Sequence, residues 1–405
     1  MLLNMIMIFN IFIKASLYPE TPLTLYRLLG VFFSLDIIDM PVKIRIVVCN
    51  TIENDNCYRL SRVLEEDNRM MKYVVAGALA AWLLGSNLAA AEVNVYSYRQ
   101  PFLINPLFDA FTQETGIQVN TVYAQKGLVE RLKSEGANSP ADLIFTVDIG
   151  RLTDAVKAEV TQAVDNATLH ANIPSPYRAA NGHWYGLTTR ARVIVASKER
   201  VKPGEISTYE DLADPKWKGR LCTRSGKHPY MVALTASMIA HHGEAKAKEW
   251  LSGLKANLAR KPQGNDRAQA RAIKEGQCDI ALMNHYYMAQ MMRDQEQSAW
   301  AEAIYLIFPN QNGRGTHLNV SGMALTKGAP NKADAIKLME FLSGDLAQRM
   351  YAEDNTEYPV KPGVPWPDLL ASWGRFKADT IALDEVAQYR AEAVKLTDEV
   401  GYDAP

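Results

Sequence analysis

The sequence predicts an α/β protein with two lobes, each containing a mostly parallel sheet, and a ligand cleft at the hinge between them. From residue 92 onward, strand-like and helix-like segments alternate, which is typical of repeated β-α-β units. The chain has 405 residues, and 48% of them are hydrophobic. That is enough for one large core or two moderate ones, and two lobes are the better expectation at this length.

The charge balance excludes several classes of partner. Basic residues number 44 and acidic residues 45, which leaves a formal charge of −1. We therefore expect no nucleic-acid partner and no attraction to an anionic membrane surface. No stretch after residue 91 reaches the roughly 20 apolar residues that a spanning helix needs. We expect this part of the chain to act as a monomer without stable membrane insertion.

Residues 71–91 have the pattern of a secretory signal peptide. Met71 and one lysine precede an apolar run from Val74 to Leu84, and three alanines at 89–91 fit a cleavage site. The pattern predicts export to the periplasm of a Gram-negative type of cell.

Residues 1–70 lie upstream of that signal, so we interpret them as a mis-called start or a leader. A membrane-anchored leader is the alternative, but the apolar run from Met1 to Ile13 is short for a spanning helix.

The segments after residue 91 alternate in a consistent order. The first strand, EVNVYSY, is followed by Leu107, Phe108 and Phe111 at helical spacing, and Gly116 ends that helix. Further segments are the strand IQVNTVYA, a helix over 127–135, the strand ADLIFTVD, the long strand GLTTRARVIVAS, a second alternating series up to Met283, the return strand GTHLNVSGMALTKG and a long amphipathic helix from KADAIKLMEFL onward.

The long strand GLTTRARVIVAS exceeds what one domain needs and could pass from one lobe to the other. We therefore predict that lobe 1 comprises residues 92–188 plus about 312–363. Lobe 2 would comprise about 189–311 plus 364–405.

Two cysteines, Cys222 and Cys278, remain after residue 91, and each lies in a strand-like segment. In an oxidising compartment such a pair favours one disulfide. Two buried free thiols are the alternative. A zinc site is not supported, because no C-x-x-C pair or closely spaced histidine accompanies either cysteine.

Three tyrosines follow predicted strands, at the edge where an open α/β sheet binds its ligands. They are Tyr230 and the adjacent pair Tyr286 and Tyr287. A phenolate is a hard anionic ligand, and three of them would cancel the charge of a ferric ion. Adjacent residues within a strand point to opposite faces, but at a strand-to-helix junction both can reach one ion. The alternative is three ordinary tyrosines, at a cleft rim or in a core.

Two arginines alternate on the long strand and could hold an anion. Arg190 and Arg192 each present a bidentate fork that fits carbonate. Salt bridges between the lobes are the alternative, and they are favoured for Arg192. Ser225, in the turn before Tyr230, is a further candidate anion contact. The flanking His228 and His285 fit neighbouring or surface roles better than roles as ligands.

Six segments resemble the periplasmic ferric-iron-binding proteins, which are solute-binding components of iron(III) ABC importers. These are VYSYRQ, PADLIFTVD, TRARVIVAS, LCTRSGKHPY, MNHYYMAQ and NVSGMALTKGAPNKADAIKLMEFL. The resemblance covers nearly all of residues 92–405. It implies the two-lobed periplasmic-binding-protein fold, transport rather than enzymatic activity, and an inner-membrane ABC permease as partner.

The resemblance also implies roles for particular residues. Tyr286, Tyr287 and Tyr230 would bind Fe(III), and Arg190 would hold a synergistic anion such as carbonate. Many members have a His or Tyr ligand after the first strand, where this chain has Gln100. We therefore expect lobe 1 to contribute no metal ligand, with anion and water in its place and the Gln100 amide able to hydrogen-bond the anion.

Two other functional classes fit the chain less well. A binding protein for a metal-free organic or inorganic anion would use the arginines but would not need clustered phenols. A secreted hydrolase is disfavoured because the sequence contains no G-x-S-x-G elbow, no H-E-x-x-H motif and no convincing Ser-His-Asp set.

Overall fold

The computed structural model describes residues 91–404 and three short strands upstream of them. Strands β1 (Val31–Asp36), β2 (Lys43–Cys49) and β3 (Cys57–Arg59) pair antiparallel in that order. The predicted signal peptide lies outside the described residues, apart from Ala91. No helix in the described part of the chain is long and apolar enough to cross a membrane.

A single mixed sheet of nine strands organises the part after residue 91. The strands are β4 (Glu92–Ser97), β5 (Gln118–Tyr123), β6 (Leu143–Thr146), β7 (Tyr185–Ser197), β8 (Leu221–Cys222), β9 (Ile280–Asn284), β10 (Ile304–Ile307), β11 (Leu318–Leu325) and β12 (Tyr358–Pro359). Their order is β5-β4-β6-β11-β7-β9-β8, and β10 and β12 also pair with β7. The parallel pairs are β4 with β5, β4 with β6 and β8 with β9, while every pair that involves β7 or β11 is antiparallel.

Helices cover the faces of this sheet and alternate with its strands, as the sequence pattern predicts. They are α1 (Pro101–Thr115), α2 (Leu128–Glu135), α3 (Ile149–Lys157), α4 (Ala167–Asn172), α5 (Pro229–His242), α6 (Glu244–Asn257), α7 (Asp266–Lys274), α8 (Tyr286–Arg293), α9 (Ser298–Glu302), α10 (Lys332–Ser343), α11 (Asp345–Asp354), α12 (Asp368–Ser372), α13 (Leu383–Gln388) and α14 (Arg390–Glu399). Helix α1 ends at Gly116, whose φ of 75° suits glycine and lets its N–H reach the carbonyl of Thr112.

Strand β7 is shared by two halves of the sheet, which confirms that the long strand passes between them. Its residues 185–191 pair with β11, and residues 192–197 pair with β9 and β10. All 13 of its residues are buried. The strand must therefore satisfy the packing of both halves at once.

Separate clusters of apolar side chains lie on the two sides of this crossing. Around β4 and β6, Val95 and Phe145 face one cluster, while Tyr96 and Ile144 face another, as expected for alternating residues. Around the second half of β7, the alternating residues Val193, Val195, Ile194 and Ala196 also divide between two clusters.

Helix α13, the second helix from the C-terminus, packs against both sides of the β7 crossing. Its residues Leu383 and Ala387 join the cluster that includes Trp184, whereas Val386 packs in a cluster with β7 and α5. The indole of Trp184 donates to Asp384 at 3.0 Å. The predicted lobe boundaries stay a prediction, because this helix contacts both cores.

A disulfide joins Cys222, in β8, to Cys278, just before β9, with the two Cα atoms 5.9 Å apart. Both cysteines are buried. The bridge therefore ties together the two parallel strands whose C-terminal ends lead to Tyr230 and to Tyr286. The two cysteines are 56 residues apart in sequence, so the bridge closes a long loop in the unfolded chain.

Replacing both cysteines by alanine should lower the free energy of unfolding by about 4 kcal/mol. This is the loop-closure entropy for a loop of that length, and typical measured losses are about 2–4 kcal/mol. Urea unfolding with and without a reductant measures the loss. The double variant should not respond to the reductant, and an unfolding midpoint of the native chain that is equally insensitive would contradict the prediction.

Candidate metal centre

Tyr286 and Tyr287 lie where a buried strand turns into a helix. The apolar strand β9 ends at Asn284, and α8 begins at Tyr286. Because the backbone turns here, the two side chains are not held on opposite faces. Their ring centres are 4.4 Å apart, with an interplanar angle of 39°. Only 7% of Tyr286 is exposed, and Tyr287 is partly buried.

Tyr230 reaches the same place from the neighbouring strand. It lies in the first turn of α5, after the turn that follows β8, and His228 caps that helix by accepting from the Tyr230 N–H at 3.2 Å. Strands β8 and β9 are parallel, so their C-terminal ends share one edge of the sheet. The hydroxyl oxygens of Tyr230 and Tyr286 are 3.2 Å apart. The structure thus brings the three predicted tyrosines together.

The environment of Tyr286 and Tyr287 favours the protonated form of these two phenols in the absence of a cation. Burial raises the pKa of Tyr286 well above its usual range, and the neighbouring phenols of Tyr230 and Tyr287 raise it further, whereas Arg190 lowers it. Burial also raises the pKa of Tyr287. A multivalent cation would reverse this preference, because metal binding stabilises the deprotonated form of its ligands.

The described residues contain no cluster of three or more histidine, cysteine or acidic side chains that could hold a metal ion. The phenol oxygens are therefore the donor set that the structure offers. Phenolate oxygens are hard ligands, which suits a hard trivalent ion better than a soft metal.

Arg190 lies on β7 with its guanidinium between the phenols and a buried acid. Only 3% of Arg190 is exposed, and its Nη2 donates to the carbonyl of Val147. Burial lowers the Arg190 pKa, but Glu357, Tyr230 and Tyr286 outweigh that effect and raise it overall. The Nε atom has no hydrogen-bond partner among the described residues. Arg190 thus keeps one buried donor without a partner, and its charge interacts with the phenols of Tyr230 and Tyr286.

Glu357 balances part of the positive charge around Arg190. Its carboxylate accepts hydrogen bonds from both terminal nitrogens of Arg99, each at 3.2 Å, and from the hydroxyl of Thr188. Glu357 is thus the ion-pair partner of Arg99, and its charge also acts on Arg190. One positive charge remains in excess on this side of the phenols.

Arg192 is engaged in an ion pair, but its partner lies within the same predicted lobe, whereas the sequence favoured a salt bridge between the lobes. Its guanidinium pairs with the fully buried Asp266, and Arg224 pairs with the other oxygen of the same carboxylate at 3.0 Å. Both guanidinium carbons lie near the ring of Tyr230, at 5.8 Å for Arg192 and 5.2 Å for Arg224. The Asp266 carboxylate also accepts from the backbone N–H of Asn284. This cluster also carries one positive charge in excess.

The geometry does not support Ser225 as an anion contact. Its hydroxyl donates to Asp403 at 2.7 Å, and the N–H of Gly226 donates to the same carboxylate at 2.9 Å. The donors of this turn are occupied because the C-terminal residues fold over it. Tyr402 adds a hydrogen bond of 2.9 Å to Thr223.

Gln100 stays a prediction as an anion contact. It is exposed at the start of α1, and no hydrogen bond in the described part of the chain joins its side chain to the tyrosines or to Arg190. The adjacent Arg99 is instead buried against Glu357.

The two histidines beside the tyrosines are both neutral. Burial and the nearby Arg224 lower the pKa of His228 to about 3. Burial also lowers the pKa of His285 to about 3. Both rings pack edge-on against ligand candidates, His228 on Tyr230 at 4.6 Å and His285 on Tyr286 at 5.9 Å. These contacts agree with the neighbouring role that the sequence suggested.

Comparison with known proteins identifies the family of this chain. Residues 138–373 match the family described as bacterial extracellular solute-binding protein. The chain is 46% identical over 314 residues to iron uptake protein A1 of Synechocystis sp., with 77% of this chain and 87% of that protein covered. The chain belongs to the bacterial extracellular solute-binding protein family.

Solved structures extend the comparison of this solute-binding protein. The apo ferric ion-binding protein A of Pasteurella haemolytica is 52% identical, with a TM-score of 0.74 over 78% of this chain and 99% of that one. A Trichodesmium protein in complex with iron and citrate is 45% identical, with a TM-score of 0.74 over 77% of this chain and 100% of that one. These neighbours are two-lobed periplasmic binding proteins, which confirms the predicted two-lobed fold class, although the sheet is mixed and not mostly parallel as the sequence predicted, because β7 and β11 pair antiparallel with their neighbours.

Sequence reasoning missed the buried acids of this solute-binding protein. Asp266 and Glu357 lie far along the chain from the arginines they pair with, and neither belongs to a recognisable motif. The available signal was the presence of several arginines in segments that are otherwise apolar, such as Arg190 and Arg192 in β7. A buried arginine requires a carboxylate partner.

Asp266→Ala should lower the free energy of unfolding by about 3–5 kcal/mol, because it leaves Arg192 and Arg224 buried without their anion. Asp279→Ala is a matched control. Asp279 also bridges two arginines, Arg200 and Arg220, but at a site where these arginines are 34% exposed. The control should lose about 1 kcal/mol or less. Equal losses in urea unfolding of the two variants would contradict the role assigned to burial.

Proposed function

We propose that this protein binds Fe(III) in the periplasm and delivers it to an ABC-type inner-membrane importer. The phenolate oxygens of Tyr230, Tyr286 and Tyr287 would bind the metal, and Arg190 would hold a synergistic anion such as carbonate. The observation that carries the proposal is the convergence of three phenols, one buried and two partly buried, beside an arginine whose Nε has no hydrogen-bond partner among the described residues.

Charge balance supports an anion as well as a metal. Three phenolates neutralise one ferric ion, so that unit is uncharged. The Arg99, Arg190 and Glu357 group and the Arg192, Arg224 and Asp266 group each carry one positive charge in excess. A doubly charged anion such as carbonate would neutralise both. Charge balance of this kind matters in a buried site, because unpaired charge is costly there.

The relatives support iron as the cargo. The Synechocystis relative is named an iron uptake protein, and the Pasteurella structure is that of a ferric ion-binding protein. A two-lobed protein can capture such a ligand by closing its lobes around it, provided that the ligand binds the closed state more tightly. The permease would then receive the closed form.

Tyr286→Phe should weaken and shift the visible band that the native protein gains when ferric iron is added, because two of the three phenolates remain. A phenolate bound to Fe(III) absorbs visible light by charge transfer, and the substitution removes one ligand oxygen while keeping the ring. Loss of an outer hydrogen-bonding partner of a metal ligand typically lowers metal affinity by roughly 10–100-fold. Loss of a ligand oxygen should lower the iron affinity by more than that. The measurement is a titration of the metal-free chain with a weakly chelated ferric salt in bicarbonate buffer.

Tyr351→Phe is the matched control for this experiment. Tyr351 is fully buried and its hydroxyl has no hydrogen-bond partner among the described residues, so it shares burial but not the cluster. It should keep the band. A native chain that binds bicarbonate or another anion but gains no band with iron would favour a metal-free anion-binding protein instead.

Arg190→Gln should remove the dependence of iron affinity on bicarbonate. In the native protein, bicarbonate should strengthen iron binding, because the anion completes the metal's coordination and is held by Arg190. Arg200→Gln is the control, since Arg200 pairs with Asp279 at the surface. Iron affinities measured with and without bicarbonate decide the point, and an unaltered bicarbonate effect in Arg190→Gln would exclude this arginine as the anion holder.

A further inference from the structure

His285 completes the pairing of β7 with β9 where β9 ends. Its backbone N–H donates to the carbonyl of Ala191 at 3.1 Å, as an antiparallel partner does. In a regular pair the N–H of Ala191 would donate back to the carbonyl of the same partner. Here it donates to the His285 ring at Nδ1, at 3.2 Å. The carbonyl of His285 is turned away and accepts from Met288 in helix α8.

The other ring nitrogen reaches a third segment. Since Nδ1 accepts a hydrogen bond, the proton of the neutral ring lies on Nε2. Nε2 donates to the carbonyl of Thr356 at 2.9 Å. Thr356 has a φ of 55°, an unusual value for a non-glycine residue. The ring is fully buried and stacks on Tyr358 at 4.4 Å.

The imidazole therefore joins two residues that flank the candidate site. Ala191 is adjacent in the chain to Arg190, the candidate anion holder. His285 is adjacent to Tyr286, a candidate metal ligand. Movement at the hydrogen bond between His285 and Ala191 would change the distance between the phenols and the guanidinium.

We infer that His285 is a positioning residue that fixes Tyr286 and Tyr287 relative to Arg190, so that the metal and its anion bind cooperatively. This inference rests on the proposed Fe(III) function. Its physical basis is that an outer hydrogen-bonding partner sets the orientation of the groups that contact the ligand. His285 contacts neither metal nor anion itself in this role.

Three substitutions separate the two hydrogen bonds. His285→Phe keeps an aromatic ring against Tyr358 but removes both bonds. His285→Asn places an amide oxygen near the position of Nδ1, so it can still accept from Ala191. His285→Gln extends further and can still donate toward Thr356, but it loses the bond to the strand.

Iron titrations with and without bicarbonate, followed by the visible band, should rank these variants. We expect His285→Phe and His285→Gln to lose at least about tenfold in iron affinity, with a shifted band and a smaller bicarbonate effect. His285→Asn should retain most of the iron affinity and most of the bicarbonate effect, because the hydrogen bond to Ala191 in β7 is the one that positions Arg190. If His285→Phe does not fold, the comparison of Asn with Gln still tests the inference.

His317→Phe provides the matched control. His317 is also buried and precedes β11, and its Nε2 has no hydrogen-bond partner in the described part of the chain. It should keep native affinity, band position and bicarbonate dependence. Thermal unfolding of each metal-free variant reports its stability separately.

The outcomes distinguish the two proposals. If the native chain shows the iron band and His285→Phe keeps its affinity, band and bicarbonate effect, then His285 is only structural and the inference is wrong while the function stands. The inference is also wrong, while the function stands, if His285→Asn and His285→Gln lose iron affinity equally. If the native chain shows no band, the proposed function fails, and the inference fails with it.

Discussion

Strand β7 is the constraint on which the rest of this structure depends. One half pairs with β11 and the other with β9 and β10, and every side chain along it is buried. Arg190 and Arg192 lie at the point where the partners change. Because a buried strand cannot shift register without exposing a different set of side chains, the positions of both arginines are fixed by the packing of both halves.

Charges near this crossing are only partly compensated, because each arginine group keeps one positive charge in excess. The buried Asp266 pairs with Arg192 and Arg224, and the buried Glu357 pairs with Arg99, and these ion pairs keep the three arginines in fixed positions. Such pairs contribute little net stability, since desolvation offsets attraction, but removing one partner is costly. Their value here is positional, because they hold two separate positive charges beside neutral phenols. Under the proposed function, this arrangement would accept a cation and an anion together.

The sequence contained enough to predict several of these features. Alternating strands and helices predicted the α/β class, and the long buried run in GLTTRARVIVAS predicted a crossing strand. The strand-to-helix junction predicted that Tyr286 and Tyr287 could face the same side. The turn after Cys222 placed Tyr230 beside them, because parallel strands end at one edge of the sheet. These predictions hold because they follow from local periodicity and from the direction of the chain.

Tertiary structure alone decided which polar groups are already engaged. The sequence suggested Ser225 as an anion contact, but the C-terminal Asp403 occupies its hydroxyl, across 178 residues of chain. Likewise the sequence could not assign Asp266 to two arginines or His285 to Ala191 and Thr356. The sequence by itself determined the secondary structure and the candidate ligands, since these depend on neighbouring residues. The folded chain decided the hydrogen-bond partners, because buried polar groups pair with whichever group long-range packing brings within reach.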